Sequence, residues 1–406
     1  MTRNRFFDDC VDNYYQSIII VILFICAGVM WYFYPVSTSN LAEKRRANLA
    51  KNIAVEGIRY ENDSSDEEPS VKGIKLPIGE NASTTSSLPT SALNSPFKIS
   101  STTPQFVVIS FDGSKSIEMW RETRDFAKKM TGEGKPVHFT YFINGAYFLT
   151  ERTRDAYKGP AEKIGRSPIG FSDSERDITA RINHVNGALE DGHEIGSHSA
   201  GHYNGKDWTL TEWKEEFDSF DKLIFNISEN NAPTYFPTLN LKKSDVVGFR
   251  APDLGVNKNL YEALKEDNFL YDTSGIGLAK NWPTKDGFGV WHIPLGTIYL
   301  GKEMIPAIAM DYSIWILQSS GEHNISRNNP VWQKDMNDVK NAYTNYFENN
   351  YKGSRAPVII GHHFSKWNEG MYWEALKSFA EETCGKPNVK CVSFKELVNY
   401  MNENSN

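Results

Sequence analysis

The sequence predicts an α/β fold on a parallel sheet covered on both faces, either a barrel or a doubly wound sheet. Three observations predict it. Short runs rich in β-branched and aromatic residues recur from Phe106 onward. Segments of helical spacing alternate with them. The apolar runs also end in acidic, basic or imidazole residues, at the strand ends where folds of this class build their sites.

In chain order, residues 1–16 form a short tail. Residues 17–36 follow, opening with "SIIIVILFICAGVMWYFY", which carries no charge and ends in aromatics. The run is apolar on every face and near the minimum length for a spanning helix, so it predicts a single-pass membrane anchor. A cleaved signal peptide would have a shorter apolar region ending in small residues. Lys44, Arg45, Arg46 and Lys51 after the span outnumber Arg3 and Arg5 before it, which by charge alone puts the C-terminal side in the cytoplasm. The cysteines argue the opposite. Cys384 and Cys391 bound the turn-rich "CGKPNVKC", whose ends can meet in a small disulfide, the mark of an oxidising compartment. The expectation adopted is an extracytoplasmic C-terminal domain.

Residues 37–103 are a low-complexity linker. "ENDSSDEEPS" is acidic, and "NASTTSSLPTSALNSP" is rich in Ser, Thr, Asn and Pro. Neither has enough large apolar residues to repay the entropy of ordering, so both are expected to be disordered. "LAEKRRANLAKNIAVEG" predicts a short helix. Asn62, Asn81, Asn226 and Asn324 stand in N-x-S sequons, which matter only in a eukaryotic secretory pathway.

The folded domain is expected over 104–403. Strands are predicted at "FVVISF" (106–111), "HFTYFING" (138–145), "HEIGSHS" after Gly192, "DVVGFRAP" (245–252), "VWHIPL" (290–295) and "APVIIGHHF" (356–364). Helices are predicted at 116–130 and 175–192. The chain of 406 residues is 40% hydrophobic, enough for a sizeable core, and its net charge of −7 comes without a basic cluster. That excludes nucleic acid as a partner.

Asp112, His198, His202, Arg250, His362 and His363 fall at or just beyond these strand ends. "GHEIGSHSAGH" (192–202) holds three of the nine histidines. A zincin would need H-E-x-x-H, but His193 and His198 are five apart, so that protease pattern fails. His198 and His202 are four apart and can share one ion.

"HSAGH" resembles the H-[ST]-x-x-H metal motif of polysaccharide deacetylases, the NodB-homology carbohydrate esterases. "ISFDGS" is similar to their first motif, T-F-D-D-G, "FRAPD" to R-x-P-[YF], and "IGH" (360–362) to the closing L-x-H. The four occur in the family's order over roughly 106–400. The resemblance implies a distorted (β/α) barrel of about seven strands. It implies hydrolysis of N-acetyl groups on hexosamine units of a chitin- or peptidoglycan-like polysaccharide, assisted by a divalent metal, zinc or cobalt. By the same resemblance, His198 and His202 hold the metal and Asp112 is the general base. Arg250 orients Asp112, and His362 is the general acid, its neighbour His363 being the alternative. Ile360 and Pro252 line the acetyl pocket. Trp282, in "NWP", walls it or stacks on sugar.

Two residues depart from the family. Gly113 replaces the second Asp, a metal ligand. Asp112 could then be ligand instead of base, another carboxylate such as Asp272 or Asp311 could complete the shell, or catalysis could be lost, leaving a carbohydrate-binding protein on the same fold. Asp253 replaces an aromatic residue.

Overall fold

The computed structural model describes residues 102–321 and 324–405. The expected tail, membrane span and all but the last residues of the linker lie outside them. Among the described residues, no helix is long and apolar enough to cross a membrane.

The first strand, β1 (Gln105–Asp112), is buried at every position. Its continuous run of apolar residues suits a parallel strand with both faces covered. β2 (Thr140–Ile143), β3 (Glu194–Ser197), β4 (Gly248–Phe249) and β5 (Tyr271–Asp272) follow it in order, each parallel to the last. After β6 (Ile276–Leu278) and β7 (Thr284–Lys285), β8 (Trp291–His292) pairs in parallel with β5, and β7 lies antiparallel on its outer side. β9 (Leu295–Leu300) and β10 (Ile305–Ile308) come next. At the other edge, β11 (Val358–His363) pairs with β1 along six residues, and β12 (Val389–Val392) joins the N-terminal half of β1. The parallel path β11-β1-β2-β3-β4-β5-β8 therefore has seven strands among the described residues.

The sheet curls, and its return is irregular. The chain bends after β5 and after β8 and continues as β6 and β9, which pair in parallel again in a small sheet with β10. Beyond β10, the Ala309 N–H donates to Gly296 O at 2.8 Å, and Ala309 O accepts from Gly361 N–H at 2.9 Å. One residue thus stitches β9 to β11. This backbone bridge, instead of a full strand, is what distorts the barrel.

Helices cover the outside. α1 (Ile117–Gly132) starts at Ser116, whose side chain accepts from the Met119 N–H, and it buries Met119, Trp120, Thr123, Phe126, Ala127 and Met130 at helical spacing. α2 (Glu175–Glu190) is capped by Ser174. α3 (Leu210–Phe225) opens with the Thr209–Glu212 capping box. α4 (Lys258–Glu266), α5 (Asp311–Ser319), α6 (Pro330–Lys352), α7 (Trp367–Thr383) and α8 (Phe394–Glu403) complete the shell. Cys384 and Cys391 are joined in a disulfide between the end of α7 and β12. Because the main strands are parallel, the ends of β1, β3, β4, β5 and β11 open on one rim.

Candidate active site

Asp112 ends β1, and its carboxylate is almost fully buried. Arg250, just beyond β4, is fully buried beside it. Its Nη1 donates to Asp112 Oδ1 at 2.7 Å and to Ser110 Oγ at 2.9 Å. Nε and Nη2 donate to the Thr273 carbonyl and hydroxyl, both at 3.2 Å, and the guanidinium lies 4.6 Å from the Phe142 ring centre. A buried charge survives only when it is paired and hydrogen-bonded, and here every face of the guanidinium is used. Burial alone would raise the Asp112 pKa; Arg250, then His198 and His363, hold it below the ordinary value. Asp112 is therefore an ionised carboxylate in a dry site.

The backbone from His198 to His202 is tightly held. The His198 N–H donates to Ile143 O at 2.9 Å and the Ala146 N–H to Ala200 O at 2.7 Å. The Asn144 amide donates to the His198 carbonyl. Ser199 and His202 have φ of 61° and 64°, in the left-handed region. Gly201 is required by close packing, since a Cβ there would meet the Tyr157 hydroxyl at 2.1 Å and its ring at 2.4 Å. Beneath the loop sits Glu216, fully buried on α3, accepting from the Gly201 N–H at 2.8 Å and from Tyr157 OH at 2.9 Å.

His198 Nδ1 lies 2.7 Å from Arg250 O, so Nδ1 carries the proton and Nε2 keeps its lone pair. Burial pushes the His198 pKa down to about 3 and that of His202 down as well, which keeps both imidazoles neutral. Their ring centres are 4.8 Å apart. Two neutral histidines with one tautomer fixed from behind are a donor set suited to zinc or cobalt. A third protein donor does not join them: among the described residues no three of His, Cys, Asp and Glu gather as a metal-holding group. Gly113 has φ +89°, and a Cβ built on it meets nothing within 4 Å. The donors thus fit an ion held by two imidazoles and otherwise by water or substrate.

Of the two carboxylates expected to complete the shell, Asp272 accepts from Ser274 and lies 4.0 Å from His292. Asp311, at the start of α5, takes His363 instead. Its Oδ1 is 2.7 Å from His363 Nδ1, and its Oδ2 accepts from the His363 N–H at 2.9 Å. This pairing raises the His363 pKa even though burial opposes it.

The register of β11 on β1 separates the adjacent histidines. Asp112 pairs with His363, and Phe111 with His362. Paired residues of parallel strands share a face and neighbours alternate, so His363 shares the face of Asp112 while His362 is on the other. There the Nε2 of His362 meets buried Tyr343 OH at 3.0 Å, and its pKa is lowered to about 4 by burial. The structure thus brings His363, not His362, to Asp112. Ile360 pairs with Ile109 and lies on the His362 side, away from the site. Trp282 packs in the core with Phe106, Tyr271 and Trp291 and donates to Ser354 O at 3.0 Å, so it offers no open face to a sugar. Pro252 is buried in the turn after Arg250, and Asp253 beside it is exposed, with φ 53°.

Glu216, Asn144 and Tyr343 were not found in the sequence. Glu216 did leave a signal. It stands three residues after Trp213 and next to Phe217 on the buried stripe of α3, where a carboxylate is out of place.

No family model matches the chain, and no curated protein matches it. Solved structures do. A Mycobacterium smegmatis protein proposed as a polysaccharide deacetylase is 14% identical, with 76% of this chain and 93% of that one covered and a TM-score of 0.44. The carbohydrate esterase family 4 domain of a multidomain xylanase from the hindgut metagenome of Trinervitermes trinervoides is 14% identical over 75% and 94%, TM-score 0.38. A family 4 pseudoenzyme from Bacillus anthracis is 12% identical over 73% and 66%, TM-score 0.35. At this distance the chemistry has to be read from the chain's own residues.

Proposed function

We propose that the chain is a metal-dependent hydrolase that removes acetyl groups from N-acetylhexosamine units of a chitin- or peptidoglycan-like polysaccharide. The observation that carries this reading is one rim holding two kinds of proton-handling group. A carboxylate kept ionised by Arg250 is joined there by an imidazole whose protonated form Asp311 favours. The order of the four motifs resembling polysaccharide deacetylases supports it.

An ion held by His198 and His202 would polarise the acetyl oxygen and acidify a water. Asp112 is placed to take the proton from the water that attacks the acetyl carbon. Arg250 keeps Asp112 ionised until then and fixes its orientation. His363 gives a proton to the departing amine nitrogen, while Asp311 holds His363 Nδ1 and leaves Nε2 as the exchanging atom. Base and acid have pKa values pushed apart by their surroundings, as such a division of roles requires. The catalytic domain works outside the cytoplasm on a single-pass anchor at 17–36, a location supported by the uncharged run and by the Cys384–Cys391 disulfide.

A second reading has its own observation. With Gly113 and no third donor among the described residues, the same site would bind acetylated glycans without cleaving them. The test is acetate release from N-acetylglucosamine oligomers by the full chain loaded with zinc or cobalt, beside Asp112→Asn and His198→Ala. Release lost in both variants supports the hydrolase. Glycan binding without release from any acetylated polymer supports the binding protein.

A further inference from the structure

Glu216 is a buried carboxylate that the proposed reaction does not use. It stands on α3 among Trp213, Phe217 and Phe220, where packing alone would select an apolar side chain. Its partners show what it serves. The Gly201 N–H donates to Oε1 at 2.8 Å, and Tyr157 OH donates to Oε2 at 2.9 Å. The Ala200 N–H and the Ser199 hydroxyl donate to the same carboxylate. Three of these four donors lie in the turn between His198 and His202. Consecutive N–H groups that converge on one anion form a nest, and here a side chain of the protein itself fills it.

Every backbone polar group of that turn can be accounted for. The carbonyls go to neighbouring segments. Ser199 O accepts from the Gly145 N–H at 3.3 Å, Ala200 O from the Ala146 N–H at 2.7 Å, and Gly201 O from the Ser167 hydroxyl at 3.0 Å. The Ser199 N–H donates to Ser197 Oγ at 3.3 Å, and the next two N–H groups go to Glu216. The His202 N–H then donates to Ser199 Oγ at 3.2 Å. A hydroxyl has one proton to give. Ser199 gives it to Glu216, which turns an oxygen lone pair towards the His202 N–H. Glu216 therefore reaches His202 through Ser199. The left-handed φ of Ser199 and His202 costs free energy, and such strain persists only where the surroundings impose it. His198 is fixed separately, through its Nδ1 on the Arg250 carbonyl.

We infer that Glu216 is a positioning residue for the candidate metal centre. Backed by Tyr157, its carboxylate fixes the turn so that the His202 ring can share one ion with His198. This rests on the metal-dependent reading of the same site. A second buried carboxylate supplies the contrast. Glu194, at the opposite end of β3, accepts from Thr140, from Tyr271 and from the Lys395 N–H, and none of these bonds touches the turn. It serves the fold alone.

The test is zinc affinity of the full chain, measured by competition with a chelating dye. The visible spectrum of the cobalt-loaded protein is the second readout. Glu216→Ala should weaken zinc roughly tenfold or more, as loss of a group behind a metal ligand does, and should alter the cobalt bands. Glu216→Gln keeps an acceptor for the turn and should stay within about threefold of wild type. Glu194→Ala should bind zinc as wild type does. Tyr157→Phe removes one hydroxyl and no charge. It should weaken zinc about threefold, and it decides the matter if Glu216→Ala does not fold. Unchanged zinc affinity in folded Glu216→Ala or in Tyr157→Phe, or an equal loss in Glu194→Ala, would overturn the positioning role and leave the metal centre standing. A wild type that binds neither zinc nor cobalt would sink the metal centre and this role with it.

Discussion

Glu216 gives the sharpest quantitative prediction. Its carboxyl is fully buried under the His198–His202 loop, and burial raises its pKa from 4.5 to about 7. The hydrogen bonds from Gly201 and Tyr157 pull it back only in part. In the unfolded chain the same group ionises near 4.5. Between these values the folded state holds a proton that the unfolded state has lost, so folding stability falls as pH rises from about 4.5 to about 7 and is level above. At about 1.4 kcal/mol per pH unit, the window is worth about 3 kcal/mol. Glu216→Gln keeps an oxygen for the Gly201 N–H and has no proton to lose. The assay is urea unfolding of wild type and variant at pH 4.5 and pH 8, and the quantity read is the difference between them, in which other titrating groups cancel. The variant should gain about 3 kcal/mol on wild type across that interval. A difference that stays constant, or that moves the other way, would show that Glu216 is ionised in the fold at low pH and refute the reasoning.

Four other expectations follow from the site and its surroundings. His363→Ala should lower kcat by roughly 100-fold or more, as loss of a general acid does. His362→Ala should leave kcat within a few-fold and reduce stability by about 1–3 kcal/mol, because buried Tyr343 OH loses its partner; steady-state kinetics and thermal melts separate the two. Gly113→Asp places a carboxylate where a Cβ meets open space, so zinc should bind more tightly by calorimetry, while the left-handed φ costs about 1–2 kcal/mol of stability. Unchanged zinc affinity would show that position 113 does not face the ion. Replacing Cys384 and Cys391 together by Ser opens a loop with a sequence separation of seven and should cost about 2–3 kcal/mol, read as a lower urea midpoint that reductant no longer shifts.

The sequence reading and the structure agree where physics is local. "FVVISF" is strand because every residue in it is apolar or small and both of its faces are covered. The strand-end rule brought Asp112 and Arg250 together across 138 residues, since a parallel sheet puts all its C-terminal ends on one rim. Facts that depend on partners were not legible. β6 and β10 are short, and the pairing of β6, β9 and β10 is created by the bend after β5 and β8, which no run of residues announces. Trp282 looked like a pocket wall from its place in the motif order, but the packing of Phe106, Tyr271 and Trp291 takes it into the core.

The adjacent histidines show where the limit falls. Strand alternation alone says that one of His362 and His363 faces the site and the other does not. Choosing between them needs the register of β11 against β1, a property of two strands about 250 residues apart. The tertiary structure supplies the choice twice. The pairing of Asp112 with His363 sets the face, and Asp311, arriving from α5, holds only His363 closely, at 2.7 Å against 3.7 Å for His362. The same carboxylate that appeared in the sequence as a spare metal ligand thus belongs to His363. Among the described residues the two imidazoles of "HSAGH" have no third protein donor, so under the proposed function position 113 is the place where metal affinity would be decided.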